Sequence, residues 1–509
     1  MSAAFRLSAL AMSVTLAACA VGPDFKRPDT ATAARFARDT HPAAPSGTTP
    51  ETPDTPPDAS ADADAAFWRG FGDPVLTHLI DTALAANQDL QVAVSRYDAS
   101  NALLSRATFD RYPTITASGQ VGHQLMSKDQ AFGAPRSQRD NPTSSVGINA
   151  AWELDLFGRV RRSIESQRAE TAASAADVRA VRVAIAGEVA STYVDLRGSQ
   201  ERLRIARENA DNQKQTLALI NARVGAGRGS DLDAARARAQ YESTTSRIAV
   251  YEAAIGVDEH RLAVLTGQTP DALIGRFDLP KAAAAAGTPV PLPALAADID
   301  PGTPGDLLRR RPDVAAAEAR LHAATARVGV ATADLFPRFT LSGLLGSATS
   351  SYGFFRAGSD TNLIALGIDW SFLDVGRVRA RIAASDAEAA GQLAQYRQTV
   401  LGALEETENA LLRAARTRDE TGHLVQAATD SARAAQLAQA RFSAGAIDYY
   451  EVLDAQRTLL QAQDAAADGQ MRSAAATVAL YKALAGGWPS GTGQGPQQSP
   501  LAQAGQPAQ

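Results

Sequence analysis

The chain has 509 residues, a net charge of −5, one cysteine and six histidines, with 45% apolar and 21% charged residues. A single cysteine excludes an intrachain disulfide, the acidic balance argues against nucleic acid as a partner, and scattered histidines without HExxH or CxxC argue against a metal centre. Beyond the N-terminus no run of about 20 apolar residues exists, so any membrane span must come from strands.

In chain order, Arg6 precedes an apolar run from Leu7 to Ala17 that ends in Leu16-Ala17-Ala18-Cys19. That pattern predicts a secretory signal peptide over residues 1–18. Leu16 to Cys19 is similar to the bacterial lipobox, which implies a mature chain starting at Cys19 with an N-acyl and S-diacylglycerol lipid. Ala20 in the next position implies delivery to the outer membrane. Residues 19–66 then read as a lipidated, extended segment, since Asp29 to Asp64 is rich in Pro, Ala, Thr and Asp.

A first unit spans 67–266. Asp73-Pro74 starts a helix predicted to run unbroken to about Arg111, before Pro113. A β-hairpin follows at 113–155, then a long proline-free helix at 159–224. A tip containing Gly225, Gly227 and Gly229 leads to a return helix at 231–265, with Asp231 as its expected cap. Residues 267–303 form a linker. A second unit, 304–486, has the same order: one helix from Pro304 to Phe336, a hairpin at 337–373, a long helix at 377–442, a tip at Ala444 and Gly445, and a return helix at 448–484 capped by Asp448. Residues 487–509 are low-complexity and read as a disordered tail.

The two units are copies. Trp152, Gly158, Arg159, Arg223 and Gly227 recur as Trp370, Gly376, Arg377, Arg441 and Gly445, always 218 residues on (370 − 152). Upstream, Asp89 and Pro113 recur as Asp313 and Pro337 at an interval of 224 (337 − 113). The change of interval places a length difference in the hairpin loop, where insertions are tolerated.

Within the hairpins, Val146, Ile148, Ala150, Trp152 and Leu154 alternate with small or polar residues, as do Ile364, Leu366, Ile368, Trp370 and Phe372. Such strands fit a transmembrane barrel with a wet lumen and with Trp152, Trp370 and Phe372 in an aromatic girdle, although a half-buried sheet in a soluble protein has the same pattern. Two strands per unit give four per chain, too few for a barrel of about 8 strands or more, so if these strands span a membrane several chains must share one: two chains would give eight strands and three would give twelve. The long helices, about 65 residues at roughly 1.5 Å each, extend about 100 Å. Short helices stacked in pairs beside them give four columns per chain. Twelve columns from three chains, about 9 to 10 Å apart, enclose a bore of some 25 Å.

Cys19 to Pro28 (CAVGPDFKRP), Phe67 to Leu76 (FWRGFGDPVL), Trp152 to Arg162 (WELDLFGRVRR), Leu307 to Leu321 (LLRRRPDVAAAEARL) and Leu480 to Trp488 (LYKALAGGW) resemble signatures of the outer membrane factor lipoproteins of RND-type efflux systems, the TolC-like family of NodT type. The resemblance covers nearly the whole mature chain. It implies a mainly α fold with a β-barrel membrane part: a homotrimer whose twelve-stranded outer-membrane barrel continues into a long periplasmic α-helical barrel, with 267–303 in an equatorial belt. It implies as partners outer membrane lipid, a periplasmic adaptor (membrane fusion) protein and an inner-membrane RND pump, in a Gram-negative bacterium, with the chain as the passive exit duct for drugs or other small toxic compounds and without a cofactor beyond the Cys19 lipid.

The spacing of Asp454 and Arg457 puts them on one helical face, and spacing alone favours an ordinary exposed pair over a gate. The family resemblance implies that they face the tunnel axis and hold a periplasmic gate shut, with Tyr450 one turn earlier as an aromatic constriction. It also makes the tips, at Gly225, Gly227, Gly229, Ala444 and Gly445, the contacts for the adaptor. Enzyme readings fail: GAGRGS lies between helices without a preceding strand, so it is no phosphate loop. Arg309 to Arg311 suit structural pairing, and Glu405, Glu406 and Glu408 a solvated face. A non-conducting trimeric tether or adhesin, and a channel for protein secretion, remain the alternatives.

Overall fold

Proline, glycine and buried polar side chains cut the chain into long helices and one sheet. The computed structural model describes residues 20–30, 33–37, 67–278, 288–293 and 301–484. Cys19, the signal segment 1–18, the tail 487–509, the segment 38–66 and most of 279–300 lie outside the described residues. Apart from a single turn at Arg136–Arg139 and short 3-10 turns, the helices of the described residues are α1 (Pro74–Ala86), α2 (Gln88–Phe109), α3 (Arg159–Gly225), α4 (Asp231–Leu265), α5 (Pro304–Arg310), α6 (Pro312–Ala333), α7 (Val375–Ser443) and α8 (Tyr449–Ala483). The strands are β1 (Thr114–Leu125), β2 (Asp140–Leu154), β3 (Arg338–Thr349) and β4 (Asp360–Asp369). The chain divides into two compact units, one formed by 1–29, 96–175 and 316–398, the other by 30–95, 176–315 and 399–509.

The first unit holds a four-stranded antiparallel sheet in the order β1-β2-β3-β4. Its ladders run from Thr114 opposite Ala151, through Leu154 opposite Phe339, to Arg338 opposite Asp369. Among the described residues β1 and β4 each pair on one side only, so both are edges. The sheet carries its apolar side chains outward: Ile115 is 69% exposed, Leu345 68% and Ile364 84%. Thr116, Ser118 and Gln120 point the other way, where Asn149 donates from Nδ2 to Ser118 Oγ at 2.8 Å.

Strand ends are tied to helix ends. Trp152 donates its indole N–H to the Arg111 carbonyl at 2.9 Å, and Trp370 donates likewise to the Leu335 carbonyl at 3.0 Å. Asp155 accepts from the backbone N–H of Val160 and Arg161, which starts α3. The segment after Cys19 is seated in the same unit: Val21 donates to the Phe157 carbonyl at 3.1 Å, Asp24 pairs with the buried Arg162 at 2.5 Å, and Phe25 stacks on His322 at 4.5 Å. A methyl group on Gly22 would lie 2.4 Å from the Gly329 backbone, so glycine is required at that contact.

In the second unit the 3-4 spacing of α3 predicts a seam at Val178, Val181, Ile185, Val189, Tyr193, Leu196 and Leu203, and all of these but the half-buried Val181 are buried, with Leu76, Ile80 and Leu262 in the same fully or nearly buried class. Asp73 caps α1 and also accepts a hydrogen bond from the Tyr193 hydroxyl at 2.8 Å.

Both pre-strand helices differ from the expectation of one piece. The first breaks at Asn87, whose backbone is extended (φ −65°, ψ 130°). Its buried amide accepts from Leu90 N–H and donates to the Leu265 carbonyl at 2.9 Å, bonds that an uninterrupted helix would forgo. The second breaks at Arg311 because Pro312 pushes the preceding residue out of the helical region (ψ 121°). The breaks lie 224 residues apart (311 − 87). The caps differ as well: Ser230, not Asp231, accepts from the first turn of α4, and Asp448 stands at the N-cap of α8 without a side-chain bond. α7 begins at Val375, two residues before its expected start.

Arg311 fastens its break. Only 8% exposed, it donates to the Ala483 carbonyl at 2.7 Å, to Glu406 at 2.7 Å and to both oxygens of Asp313. A lysine cannot reach three acceptors in that fork. Arg311→Lys and Arg311→Ala should therefore both lower thermal stability, the alanine by about 1–3 kcal/mol. An unchanged melting temperature for both would show that the break holds without this side chain.

Candidate functional site

The hairpin tips are two copies of one helix ending. At the first, Gly227 donates to the Val224 carbonyl at 2.9 Å and Arg228 to the Arg223 carbonyl at 2.8 Å. At the second, Gly445 donates to the Phe442 carbonyl at 2.9 Å and Ala446 to the Arg441 carbonyl at 2.9 Å. These are Schellman motifs, in which the residue after the cap turns left-handed: φ is +70° at Gly227 and +75° at Gly445. Gly225 is the last residue of α3, Ala444 donates to the Ala440 carbonyl, and Gly229 passes so close to Val224 that a methyl group would sit 3.0 Å from its backbone nitrogen. GAGRGS is thus a turn between helices, as its context suggested.

Just inside the tips, Ile220, Ala237, Phe442, Tyr449 and Val452 form a small apolar core. Tyr449 is 6% exposed and packs on Phe442 at 5.8 Å, whereas Tyr450 is 56% exposed. The Arg236 guanidinium lies 5.3 Å from the centre of the Tyr450 ring. The spacing also brings Asp454 and Arg457 together on one face, as expected: Arg457 donates to Asp454 at 2.9 Å, and both side chains are about half exposed.

Further along the same helices is a charge cluster that the sequence reading missed. Arg202 on α3 donates to Asp464 at 2.8 Å and to Asp468 at 3.0 Å, both on α8. From α4, Tyr251 donates to Asp464 at 2.7 Å and Arg247 approaches it to 3.6 Å. Burial would raise the Asp464 carboxyl, but hydrogen bonds from Arg202 and Tyr251 hold it below the usual range. Asp464 and Asp468, four apart on one helix, were the available signal. Three helices are clamped by one arginine.

The remaining expected sites are mostly structural. Trp152 and Trp370 anchor the hairpins, and Trp370 leans on Phe372 at 5.1 Å, both rings being about half exposed. Of the acidic trio, Glu406 serves Arg311 and Glu408 accepts from Ala37 N–H at 2.6 Å, so these two are partners rather than a merely solvated face. Arg309 is paired with Asp306 at 3.5 Å. Among the described residues no group of His, Cys, Asp or Glu could hold a metal ion, and no helix is long and apolar enough to cross a membrane.

The sequence profile described as "Outer membrane efflux protein" matches residues 79–268 and again 303–486. The chain belongs to the outer membrane efflux protein family. It is 32% identical to outer membrane protein OprJ of Pseudomonas aeruginosa over 502 residues, 96% of this chain and 97% of that one. It is equally, 32%, identical to the toluene efflux pump outer membrane protein TtgC of Pseudomonas putida over 505 residues, 97% and 98% of the two chains. The solved outer-membrane channel OprN superposes with a TM-score of 0.80 at 37% identity, covering 92% of this chain and all of that one (100%). This is a family of outer membrane efflux channels and not of enzymes.

One carboxyl of this efflux protein has a pH signature. Burial, assisted by neighbouring Asp195, pushes Asp258 up to about 7. Between roughly pH 4, where an unfolded aspartate titrates, and the folded value, the folded chain binds the extra proton. Its stability contribution therefore falls as pH rises through that window. Denaturant midpoints at pH 5 and pH 8 should differ less in Asp258→Asn than in the parent, and an equal difference in both would contradict this assignment.

Proposed function

We propose that three copies of the chain close one twelve-stranded barrel in the outer membrane, joined to a periplasmic barrel of helices, and that this tunnel is the exit duct of a tripartite RND-type pump for drugs and other small toxic compounds. The observation that carries the reading is the sheet: among the described residues it has four strands with exposed apolar side chains and two unpaired edges. Unpaired backbone groups are not tolerated in lipid, so the edges must meet other copies. The two matches of one family profile and the recurring breaks, tips and indole bonds support a duplicated chain, which suits a ring with sixfold pseudo-symmetry.

The remaining assignments follow from that frame. Cys19 carries the lipid anchor, and the docked residues 20–27 begin one residue after it. Trp152, Trp370 and Phe372 lie where strands meet helices, the height expected of an aromatic girdle. The tips at Gly225, Gly227, Gly229, Ala444 and Gly445, left-handed at Gly227 and Gly445, are exposed and form the contact for the adaptor. Asp454, Arg457 and Tyr450 form the periplasmic gate. A single exposed pair of this kind stabilises by less than about 1 kcal/mol, so its effect on a gate comes from threefold repetition about the axis.

Single-channel conductance in a planar bilayer tests the duct and the gate together. The wild type should show small, mostly closed currents, and Asp454→Ala combined with Arg457→Ala should enlarge them severalfold. An unchanged but conducting double variant would keep the duct and remove the gate. Trimeric, inserted protein without any channels would leave a tether as the better reading.

A further inference from the structure

The two junctions between strand and helix share a frame but not a lining. At the first, an open cavity of about 400 Å³ lies between the end of α2 and the start of α3, bounded by Asp110, Arg111, Trp152, Glu153, Asp155 and Arg161. The Trp152 indole is its apolar wall, and the N–H bond to the Arg111 carbonyl fixes the ring. The second junction repeats that bond, from Trp370 to the Leu335 carbonyl, and keeps an arginine at Arg379 (161 + 218). Three charged lining positions are not kept. Arg111, Glu153 and Asp155 correspond to Leu335 (111 + 224), Ser371 (153 + 218) and Leu373 (155 + 218), so the indole bond forms without those charges.

Two of the lining charges are unanswered. A carboxylate just past the end of α2 faces the negative pole of that helix, where a positive partner is favoured. Asp334 (110 + 224), the counterpart of Asp110, has two such partners, Arg338 at 2.6 Å and Arg381 at 2.5 Å. The first copy has Thr114 (338 − 224) and Ser163 (381 − 218) in their places. Glu153 is held by Arg159 at 2.5 Å and Asp155 by Arg161 at 3.1 Å, whereas among the described residues Asp110 and Arg111 make no ion pair. The lining thus offers one open carboxylate and one open guanidinium beside an indole.

We propose that this cavity binds the headgroup of a phospholipid that carries both an ammonium and a phosphate, a phosphatidylethanolamine, with the ammonium on Asp110, the phosphate on Arg111 and the glycerol end against Trp152. The inference rests on the outer-membrane reading above. A zwitterion answers both charges, whereas a lipid with only a phosphate leaves Asp110 facing an anion, and a simple cation leaves Arg111 unanswered. The surroundings suit a bilayer surface. Phe109 and Tyr112, which flank the two residues in sequence, are 71% and 63% exposed, and Ile115, on the outward face of β1, is 69% exposed, giving acyl chains an apolar surface. Ala20, the residue after Cys19, meets the same junction: a methyl group on Gly158, between Asp155 and Val160 in sequence, would lie 2.7 Å from the Ala20 Cα. The lipid anchor of that reading therefore leaves the protein beside the cavity.

Native mass spectrometry tests the site on the full, lipidated protein, stripped of bound phospholipid in detergent and then given phosphatidylethanolamine or phosphatidylglycerol. The parent should retain phosphatidylethanolamine about tenfold better than phosphatidylglycerol, and Asp110→Asn and Arg111→Gln should each weaken that retention about tenfold, the loss of one charge-assisted hydrogen bond. Neither substitution removes the Arg111 carbonyl from Trp152, and unchanged melting temperatures in phospholipid-free detergent would show the junction intact. Arg379→Gln, at the second junction, should leave retention unchanged. Equal retention of the two lipids by the parent, or of phosphatidylethanolamine by the parent and both variants, overturns the site. Soluble glycerophosphoethanolamine binding as tightly as the lipid would assign the cavity to a free solute and overturn the lipid. Protein that stays in solution without detergent or lipid overturns the membrane reading, and the site with it.

Discussion

Backbone N–H and C=O groups at a sheet edge must find partners wherever water is absent, and this constraint shapes the whole chain. Four strands expose mostly apolar side chains on one face and, Leu344 and Leu363 apart, small or polar ones on the other, but among the described residues β1 and β4 leave a row of backbone groups open on each flank. In water such edges are a liability, and in lipid they are prohibitive. A helix or loop covers neither edge among the described residues. A ring of copies, as proposed above, would pair both edges, with each hairpin joining its neighbour in the same way. Whether the neighbour belongs to the same chain or the next then matters little to the ladder.

The helical part meets a different problem. Its long helices are rich in alanine and weakly apolar, so they are held in register by specific polar contacts as much as by a core. Arg202 joins three helices through Asp464, Asp468 and the Tyr251 pair, and Arg311 joins a helix break to two more. Close approach does the rest: a methyl group on Gly198 would fall 2.4 Å from the Met471 sulfur, so these two helices pack nearly backbone to side chain there. Polar clamps suit helices whose inner and outer surfaces are both wet, since they hold position without requiring a thick core. They can also be exchanged for other pairs at modest cost, which a core cannot.

Much of this was legible in the sequence because periodicity and punctuation are local signals. The strand alternation, the turns at Gly227 and Gly445 and the long proline-free helices all stand in the structure as read. The misses share a cause. Asn87 ends a helix only because Leu265, far along the chain, offers its carbonyl, and no window around Asn87 contains that fact. Ser230 rather than Asp231 caps α4, a one-residue choice between two good caps. Arg202 looked like any arginine on a helix surface until α8 and α4 surrounded it. In the candidate site, Asp454 and Arg457 were visible from spacing, whereas the Arg236 contact on Tyr450 depends on the packing of two hairpins.

The central claim is that the two edge strands are not edges in the assembled protein. Hydrogen–deuterium exchange of the full, lipidated protein in detergent measures this strand by strand. If copies close the ring, amides throughout Thr114–Leu125 and Asp360–Asp369 should be protected as well as those of the interior strand Asp140–Leu154. Fast exchange at alternate residues along β1 and β4, beside slow exchange in β2 and β3, would mean that the sheet stays open and would contradict the account.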